Sequence, residues 1–125
     1  QVVTKKKPSA EIVEDMVFAW KVCKHVKSNA IVIAKDFKTL AICGGQTSRI
    51  DAMEIALNRA CDGAKNAVAA SDGFFPAIDN IQAAAQCRIS GIIQPGGSIK
   101  DKEVIAAADK YEMVMITTGI RHFKH

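Results

Sequence analysis

The strongest constraint on the fold is an alternation of short apolar runs with longer stretches of helical periodicity. In the first long stretch, apolar residues such as Ile12, Met16 and Trp20 recur at helical spacing, whereas the short runs end abruptly in polar, glycine or proline residues. The predicted helices are residues 9–26, 48–60, 79–87 and 98–110, and the predicted strands are residues 30–35, 38–43, 67–70, 90–94 and 113–117.

The order of these elements is helix, hairpin, helix, strand, helix, strand, helix, strand. Strands that alternate with helices require right-handed crossovers, and the sheet they form is covered by helices on both faces. We therefore predict a single α/β domain over residues 1–125, with three α/β/α layers and a mixed, mainly parallel five-stranded sheet. The opening hairpin, which turns at Asp36-Phe37, contributes one antiparallel strand.

Polar residues at the predicted helix starts support these boundaries. Ser9 is the expected N-cap of the first helix, and Ser48 and Ser98 each precede an aspartate at capping-box spacing. Asp79 is expected to cap the third helix. The opening residues 1–4 resemble a strand already under way, so we expect the chain to be a piece of a longer polypeptide.

Composition excludes several classes of protein. A chain of 125 residues, 49% hydrophobic and 24% charged, has no apolar run long enough for a membrane span and no signal peptide. Its four cysteines lie far apart without a C-x-x-C pair, so we expect reduced thiols in a cytoplasmic protein and no zinc or other metal. The net charge of +4 suits an anionic small molecule and is too modest to indicate nucleic acid.

Ligands of such sheets bind beyond the carboxyl ends of the strands. Four predicted loops meet there, at residues 44–49, 72–76, 94–98 and 117–121. The second loop carries the adjacent rings Phe74 and Phe75, which are either a plug for the core or a wall on which a flat ring lies. Glycines, arginines and helix N-termini in the other loops favour a site for an anionic ligand.

Several of these segments also resemble one enzyme family in sequence and in order. The matching segments are Lys24-His25-Val26-Lys27-Ser28-Asn29-Ala30-Ile31, Gly45-Gln46-Thr47-Ser48-Arg49-Ile50, Ser71-Asp72-Gly73-Phe74-Phe75-Pro76, Gln94-Pro95-Gly96-Gly97-Ser98-Ile99 and Arg121-His122-Phe123-Lys124-His125. Together they resemble the C-terminal half of the transformylase region of the bifunctional aminoimidazole carboxamide ribonucleotide (AICAR) transformylase/IMP cyclohydrolase family. The resemblance implies a cytidine-deaminase-like fold.

It also implies an activity, the transfer of a formyl group from the co-substrate 10-formyltetrahydrofolate to the 5-amino group of AICAR. Asn29 matches the family's catalytic asparagine, which hydrogen-bonds the reacting formyl and amine groups; the alternative is a turn residue after a helix. An amide suits this role because it donates and accepts hydrogen bonds without a charge.

The resemblance assigns the remaining site residues to the two substrates. Arg49, Phe74 and Arg121 match nucleotide-contacting residues, Phe74 being packed on the base. Ile50, Asp79, Ser98 and Ile99 match positions on the folate side. For Arg49 the alternative is a surface arginine in the first turn of a helix, and for Asp79 and Ser98 it is simple helix capping.

Two departures from the family are visible. Gly73 and Ala77 replace an alanine and a phenylalanine of the common family loop, which puts folate affinity in doubt. The family's lysine-histidine pair, whose histidine is the general base, belongs to another part of the protein, and Lys24-His25 is not that pair. We therefore expect the chain alone to be inactive, as part of a homodimeric enzyme with sites between subunits. The alternative is a non-catalytic nucleotide-binding or dimerisation module.

Overall fold

A computed structural model of the chain describes residues 1–120. Helices and strands alternate in the predicted order: α1 Ala10–Cys23, β1 Ile31–Lys35, β2 Lys38–Cys43, α2 Arg49–Ala60, β3 Val68–Ser71, α3 Asp79–Gln86, β4 Gly91–Gln94, α4 Asp101–Lys110 and β5 Val114–Thr117. A short 3-10 turn, Cys61–Ala64, follows α2. The predicted order of elements is confirmed.

The five strands form one sheet in the order β2-β1-β3-β4-β5. β1 is antiparallel to both of its neighbours, whereas β3, β4 and β5 pair in parallel. Four strands therefore share one direction, and β1 is the single antiparallel strand that the hairpin was predicted to add. We call the edge where β2, β3, β4 and β5 end the carboxyl-end edge, and the opposite edge the amino-end edge.

Helices cover both faces of this sheet and bury two apolar clusters. On one face α1 packs through Met16, Ala19 and Cys23 against alternate residues of β1, β3, β4 and β5. On the other face α2, α3 and α4 pack against the intervening residues, with Phe75 among the largest buried side chains. The alternation follows from the two-residue period of strands, and the three-layer prediction is confirmed.

The helix starts agree with the sequence only in part. The Ser9 and Ser48 hydroxyls accept N–H bonds from Ile12 and Asp51, both at 3.2 Å, as predicted. The predicted Asp79 cap of α3 is wrong, because Asp79 is the first helical residue and its Oδ1 accepts from the adjacent Asn80 N–H at 2.8 Å. The predicted start of α4 at Ser98 is wrong as well, since α4 begins at Asp101.

The first residues run beside the outer edge of β5. Val2 forms an isolated antiparallel bridge with Ile116, and Val3 N–H donates to the Met115 carbonyl at 3.0 Å. They add one bridge rather than a full strand. Within residues 1–120, no helix is both long and apolar enough to cross a membrane.

Candidate functional site

The strand directions bring five chain segments to the carboxyl-end edge. The loops after β2, β3, β4 and β5 meet there, and so does the segment that precedes the reversed strand β1. In the order of the strands, the loop after β2, the segment before β1 and the loop after β3 are immediate neighbours. This arrangement places residues 28–30, 44–49 and 71–76 side by side.

A cleft of about 360 Å³ opens among these three segments. It is lined by Asn29, Thr47, Ser48, Arg49, Phe74 and Pro76. Three predicted site residues, Asn29, Arg49 and Phe74, therefore share one cleft. Thr47, Ser48 and Pro76 also line it, and they were predicted only as parts of their loops.

Arg49 is not the first-turn surface arginine of the alternative interpretation. Although it is the first residue of α2, only 8% of it is exposed. Its Nη1 pairs with Asp72 Oδ1 and donates to the Ala30 carbonyl at 3.3 Å, and its Nη2 donates to Asn29 Oδ1 at 2.8 Å. Most of its hydrogen-bonding capacity thus holds protein groups in place.

Asp72 is the residue at this site that the sequence did not reveal. Its side chain is fully buried and accepts from the Ser28 hydroxyl at 2.5 Å and from the Ala30 N–H at 3.1 Å, besides pairing with Arg49. A buried carboxylate is stable only when its charge and lone pairs are satisfied, and here three partners do so. The available signal was an aspartate directly after a fully apolar strand.

The amide of Asn29 is oriented at both ends. Its Oδ1 accepts from Arg49, and its Nδ2 donates to the Gln46 carbonyl at 3.1 Å, which also accepts from the Asn29 backbone N–H. Each amide end has two hydrogen-bonding positions, so these contacts fix the orientation and use one position at each end.

The close approach of the β2 loop depends on Gly44. A Cβ at this position would lie 2.4 Å from Val26 Cγ1 and 2.8 Å from the Lys27 carbonyl oxygen. The next residue, Gly45, donates its N–H to the same carbonyl at 2.7 Å. The absence of a side chain at Gly44 thus allows the loop to pack against residues 26–27 and to carry Gln46 to Asn29.

The two phenylalanines divide between the two predicted roles. Phe75 is fully buried in the core, whereas Phe74 is partly exposed and lines the cleft. Phe75 is therefore a core residue, and Phe74 is the ring whose position allows it to serve as a wall of the cleft. Gly73 does not adopt a positive φ, and its N–H is 3.4 Å from the Ser71 hydroxyl oxygen, which itself donates to the Gly73 carbonyl.

The other predicted site residues lie outside this cleft. Ile50 follows Arg49 in α2, Asp79 is exposed at the start of α3, and Ser98 and Ile99 belong to the loop between β4 and α4. That loop lines a separate cleft of about 390 Å³, together with the end of β5 and the first residues of the chain. Arg121 falls outside the described residues.

The charge of Asp72 also affects a neighbouring thiol. Burial raises the pKa of Cys23 from 9.0 to about 12, Asp72 adds to the rise and Arg49 opposes it. The Cys23 Sγ donates to the carbonyls of Ala30 and Ala70, both at 3.7 Å. This thiol is thus a packed, protonated group behind the cleft rather than a nucleophile within it.

The chemistry available at the cleft is that of neutral and paired polar groups. In the described part of the chain, no three His, Cys, Asp or Glu side chains are grouped so that they could hold a metal ion. The cleft offers one oriented amide, the hydroxyl side chains of Thr47 and Ser48, and the Phe74 ring. These groups can bind a flat, hydrogen-bonding ligand and orient a reacting amine or carbonyl.

The fold and the cleft together define an α/β/α protein with a polar cleft at the carboxyl-end edge of its sheet. Comparison with solved structures supports this fold: Acinetobacter baumannii RibD (form 2) superimposes with a TM-score of 0.58 at 13% identity, over 86% of this chain and 36% of RibD. The predicted cytidine-deaminase-like fold is confirmed.

Sequence comparison shows which family the chain resembles. The model described as "AICARFT/IMPCHase bienzyme" matches residues 1–59. The bifunctional purine biosynthesis protein PurH of Caldicellulosiruptor saccharolyticus is 59% identical over all 125 residues, and that of Aquifex aeolicus is 53% identical over 128 aligned residues. The chain thus resembles PurH proteins of the AICARFT/IMPCHase bienzyme type over its whole length. It spans 24% of the Caldicellulosiruptor protein and 25% of the Aquifex protein.

Proposed function

We propose that this chain is the C-terminal half of the transformylase region of a bifunctional purine biosynthesis enzyme. The complete enzyme transfers the formyl group of 10-formyltetrahydrofolate to the 5-amino group of AICAR, a step of IMP biosynthesis in the cytoplasm. The observation that carries the proposal is the shared cleft of Asn29, Arg49 and Phe74, in a chain that resembles PurH proteins over its whole length.

Asn29 is the catalytic residue of this half. When bound, 10-formyltetrahydrofolate supplies the formyl carbon, which forms a bond to the AICAR amine as its bond to the folate nitrogen breaks. The amine must lose a proton, and the family resemblance assigns its removal to a histidine in another part of the protein. Asn29, oriented by Arg49 and Gln46, can donate to the formyl oxygen as negative charge develops on it.

The nucleotide lies on Phe74, whose partly exposed ring offers a face for the AICAR base. Arg49 contributes to the same wall and also holds the Asn29 amide. Arg121 is the further nucleotide contact. Ile50, Asp79, Ser98 and Ile99 serve the folate side, although they lie outside the Asn29 cleft. The complete enzyme is a homodimer with sites between subunits.

The first test is kinetic. Asn29→Ala in the complete enzyme should lower kcat by about tenfold or more and change the KM for AICAR much less, because the amide's hydrogen bonds strengthen as charge shifts in the transition state. Asn58→Ala is the matched control, since Asn58 is exposed at the amino-end edge and lines another cavity. Equal kcat for the two variants would contradict the catalytic role.

A second test separates enzyme from binding module. The 125-residue chain alone should bind AICAR and transfer no formyl group, whereas the complete enzyme turns over. Formyl transfer by the purified chain alone would disprove the need for the remaining part. If the complete enzyme also transferred no formyl group, the family activity would not apply and a non-catalytic binding or dimerisation module would be the better description.

A third test concerns Arg121. Arg121→Lys in the complete enzyme should weaken AICAR binding by roughly 1–3 kcal/mol, because a lysine keeps the charge and loses the two-pronged guanidinium. Folate binding should change much less. Calorimetric titration with each ligand measures both effects, and equal losses would show that Arg121 holds local structure instead of contacting the nucleotide.

A further inference from the structure

The backbone of the loop between β4 and α4 is held by hydrogen bonds to side chains at both of its ends. Gly96 and Gly97 both adopt positive φ, at 75° and 104°, and no regular element includes them. Side chains on either side of the loop nevertheless hold its N–H groups. Gln94, fully buried at the end of β4, accepts the Gly96 N–H on Oε1 at 2.7 Å. The loop therefore has an internal anchor on the β4 side.

The anchor on the helix side is Asp101, the first residue of α4. One carboxylate oxygen accepts the Gly97 N–H at 2.7 Å, and the other accepts the Ser98 N–H at 3.0 Å. Hydrogen bonds to an ionised acceptor are the strong ones, and here a single carboxylate fixes two successive peptide groups. The position also places a negative charge at the N-terminus of a helix, where it is favourable.

This arrangement changes what the loop can bind. Successive N–H groups in a glycine-rich turn before a helix usually offer a site for an external phosphate or carboxylate. Here the Asp101 carboxylate already occupies the N–H groups of Gly97 and Ser98, so an external anion would have to displace it. What the loop presents outward is a side chain, since Ile99 is 98% exposed.

We propose that Asp101 is the positioning residue of the co-substrate loop: it fixes residues 97–99 so that Ser98 and Ile99 meet the folate. This inference rests on the proposed function, in which Ser98 and Ile99 serve the folate side. Asp101 itself touches loop backbone and not the reacting atoms. Its effect is therefore on folate affinity and not on the chemical step.

The test is Asp101→Asn in the complete enzyme. An asparagine keeps the size, but its NH2 group would face one of the two N–H groups that the carboxylate now accepts. We expect the KM for 10-formyltetrahydrofolate to rise about tenfold, because one charge-assisted hydrogen bond is lost. The kcat at saturation and the KM for AICAR should stay within about twofold of wild type. Asp101→Glu, which restores the carboxylate, should recover part of the folate affinity.

The matched control is Glu103→Gln. Glu103 lies in the same first turn of α4, is exposed, and pairs with Lys100 at 3.6 Å without touching the loop N–H groups. It should leave both KM values unchanged. The positioning role would be overturned if Asp101→Asn lowered kcat and raised both KM values by similar factors, or if it left the folate KM unchanged.

Ile99→Ala separates this inference from the proposed function. If Ile99→Ala raises the folate KM and Asp101→Asn does not, the folate assignment stands and the role of Asp101 is wrong. If neither substitution changes the folate KM, the assignment of this loop to the folate is itself wrong, and the inference falls with it.

Discussion

Among residues 1–120, those with positive φ at the carboxyl-end edge of the sheet are Gly45, Gly96, Gly97 and Gly119, whereas those at the amino-end edge all carry side chains. The latter are Asp36, Phe37, Cys61, Asn66, Arg88 and Glu112. A left-handed residue with a side chain costs about 1–2 kcal/mol, which a structural turn can tolerate. Glycine at the same backbone angles leaves space in which a ligand or another loop can approach closely.

The two edges also differ in cavity volume and in the burial of their charged side chains. The cavity at the amino-end edge, lined by residues such as Asp62, Lys65 and Arg88, is about 550 Å³, larger than the Asn29 cleft. The carboxyl-end edge instead contains a buried ion pair, Arg49 with Asp72, that orients a neutral amide. Cavity volume alone would therefore favour the amino-end edge, whereas the buried polar network lies beside the proposed site at the carboxyl-end edge.

The largest expected effect comes from breaking this network. Asp72→Asn in the 125-residue chain leaves the buried Arg49 charge without its partner, and we expect a loss of about 3–5 kcal/mol in the free energy of unfolding. Urea titration followed by circular dichroism measures it. Glu103→Gln, which breaks the exposed pair with Lys100, should change stability by less than about 1 kcal/mol. Similar losses for the two variants would contradict the importance of the buried pair.

The second prediction compares thiols at the two edges. Cys23 is buried beside Asp72 with a pKa raised to about 12, whereas Cys61 is exposed at the amino-end edge. At pH 8 the thiolate fraction of Cys23 is roughly a thousandfold smaller than that of a thiol with the usual pKa of 9.0. A pulse of iodoacetamide followed by peptide mass spectrometry should modify Cys61 and spare Cys23, and both should react in urea.

The same pKa predicts a pH dependence of stability. Because the folded state binds the Cys23 proton more tightly than the unfolded state, the thiol's contribution is complete below pH 9 and declines as the pH rises from 9 towards 12. Cys23→Ala should remove this part of the decline. An unfolding free energy with the same pH dependence in the variant and in the parent chain would show that another group is responsible.

The third prediction tests the glycines of the carboxyl-end edge. In Gly96→Ala, an alanine would have to adopt the φ of 75° that the glycine now has. Its Cβ would lie 3.4 Å from both Asp101 Oδ2 and Thr117 Cγ2. We expect a loss of about 1–2 kcal/mol in unfolding free energy. Gly63→Ala is the matched control, because its φ is not positive and its Cβ would make an ordinary 3.5 Å contact with Leu40. That variant should be neutral or slightly more stable.

The sequence predicted those features that depend on interactions between residues close together in the chain. The strands, the hairpin at Asp36-Phe37 and the Ser9 and Ser48 caps depend on neighbours within a few residues, and all were predicted. The start of α4 was not, because the Ser98 hydroxyl accepts from Lys100 N–H at 3.0 Å, one residue earlier than a capping box requires. Two acceptable local hydrogen bonds competed for that hydroxyl, and the pattern does not decide between them.

The site shows the same division at longer range. The resemblance assigned Asn29, Arg49 and Phe74 to the proposed site, but it did not show which groups hold the first two in place. The partner of Arg49 lies 23 residues further along the chain, and whether an aspartate after a strand is buried depends on which loops meet it. Neither charge pattern nor helix periodicity contains that information. The exposed position of Asp79 and the network around Asp72 could therefore emerge only from the fold.

The smallest predicted effect concerns the amino-end edge, at the end of α4. Glu112 follows the last helical turn with a φ of 57°, and the N–H groups of Glu112 and Met113 donate to the carbonyls of Asp109 and Ala108 at 3.1 and 2.9 Å. This is the Schellman arrangement, whose left-handed position favours glycine. Glu112→Gly should remove the strain and an unfavourable charge at a helix C-terminus, against a larger entropy cost of folding.

We expect a net gain of about 0.5 kcal/mol in unfolding free energy for Glu112→Gly. Lys110→Gly, two residues earlier and inside α4, should lose up to about 1 kcal/mol by the ordinary helix penalty, so the two variants should differ in sign. Thermal unfolding of both in the same buffer measures this difference. A lower unfolding free energy in both variants would mean that the Glu112 side chain stabilises the turn. The left-handed residues of the amino-end edge would then be favoured by their side chains, as those of the carboxyl-end edge are favoured by being glycine.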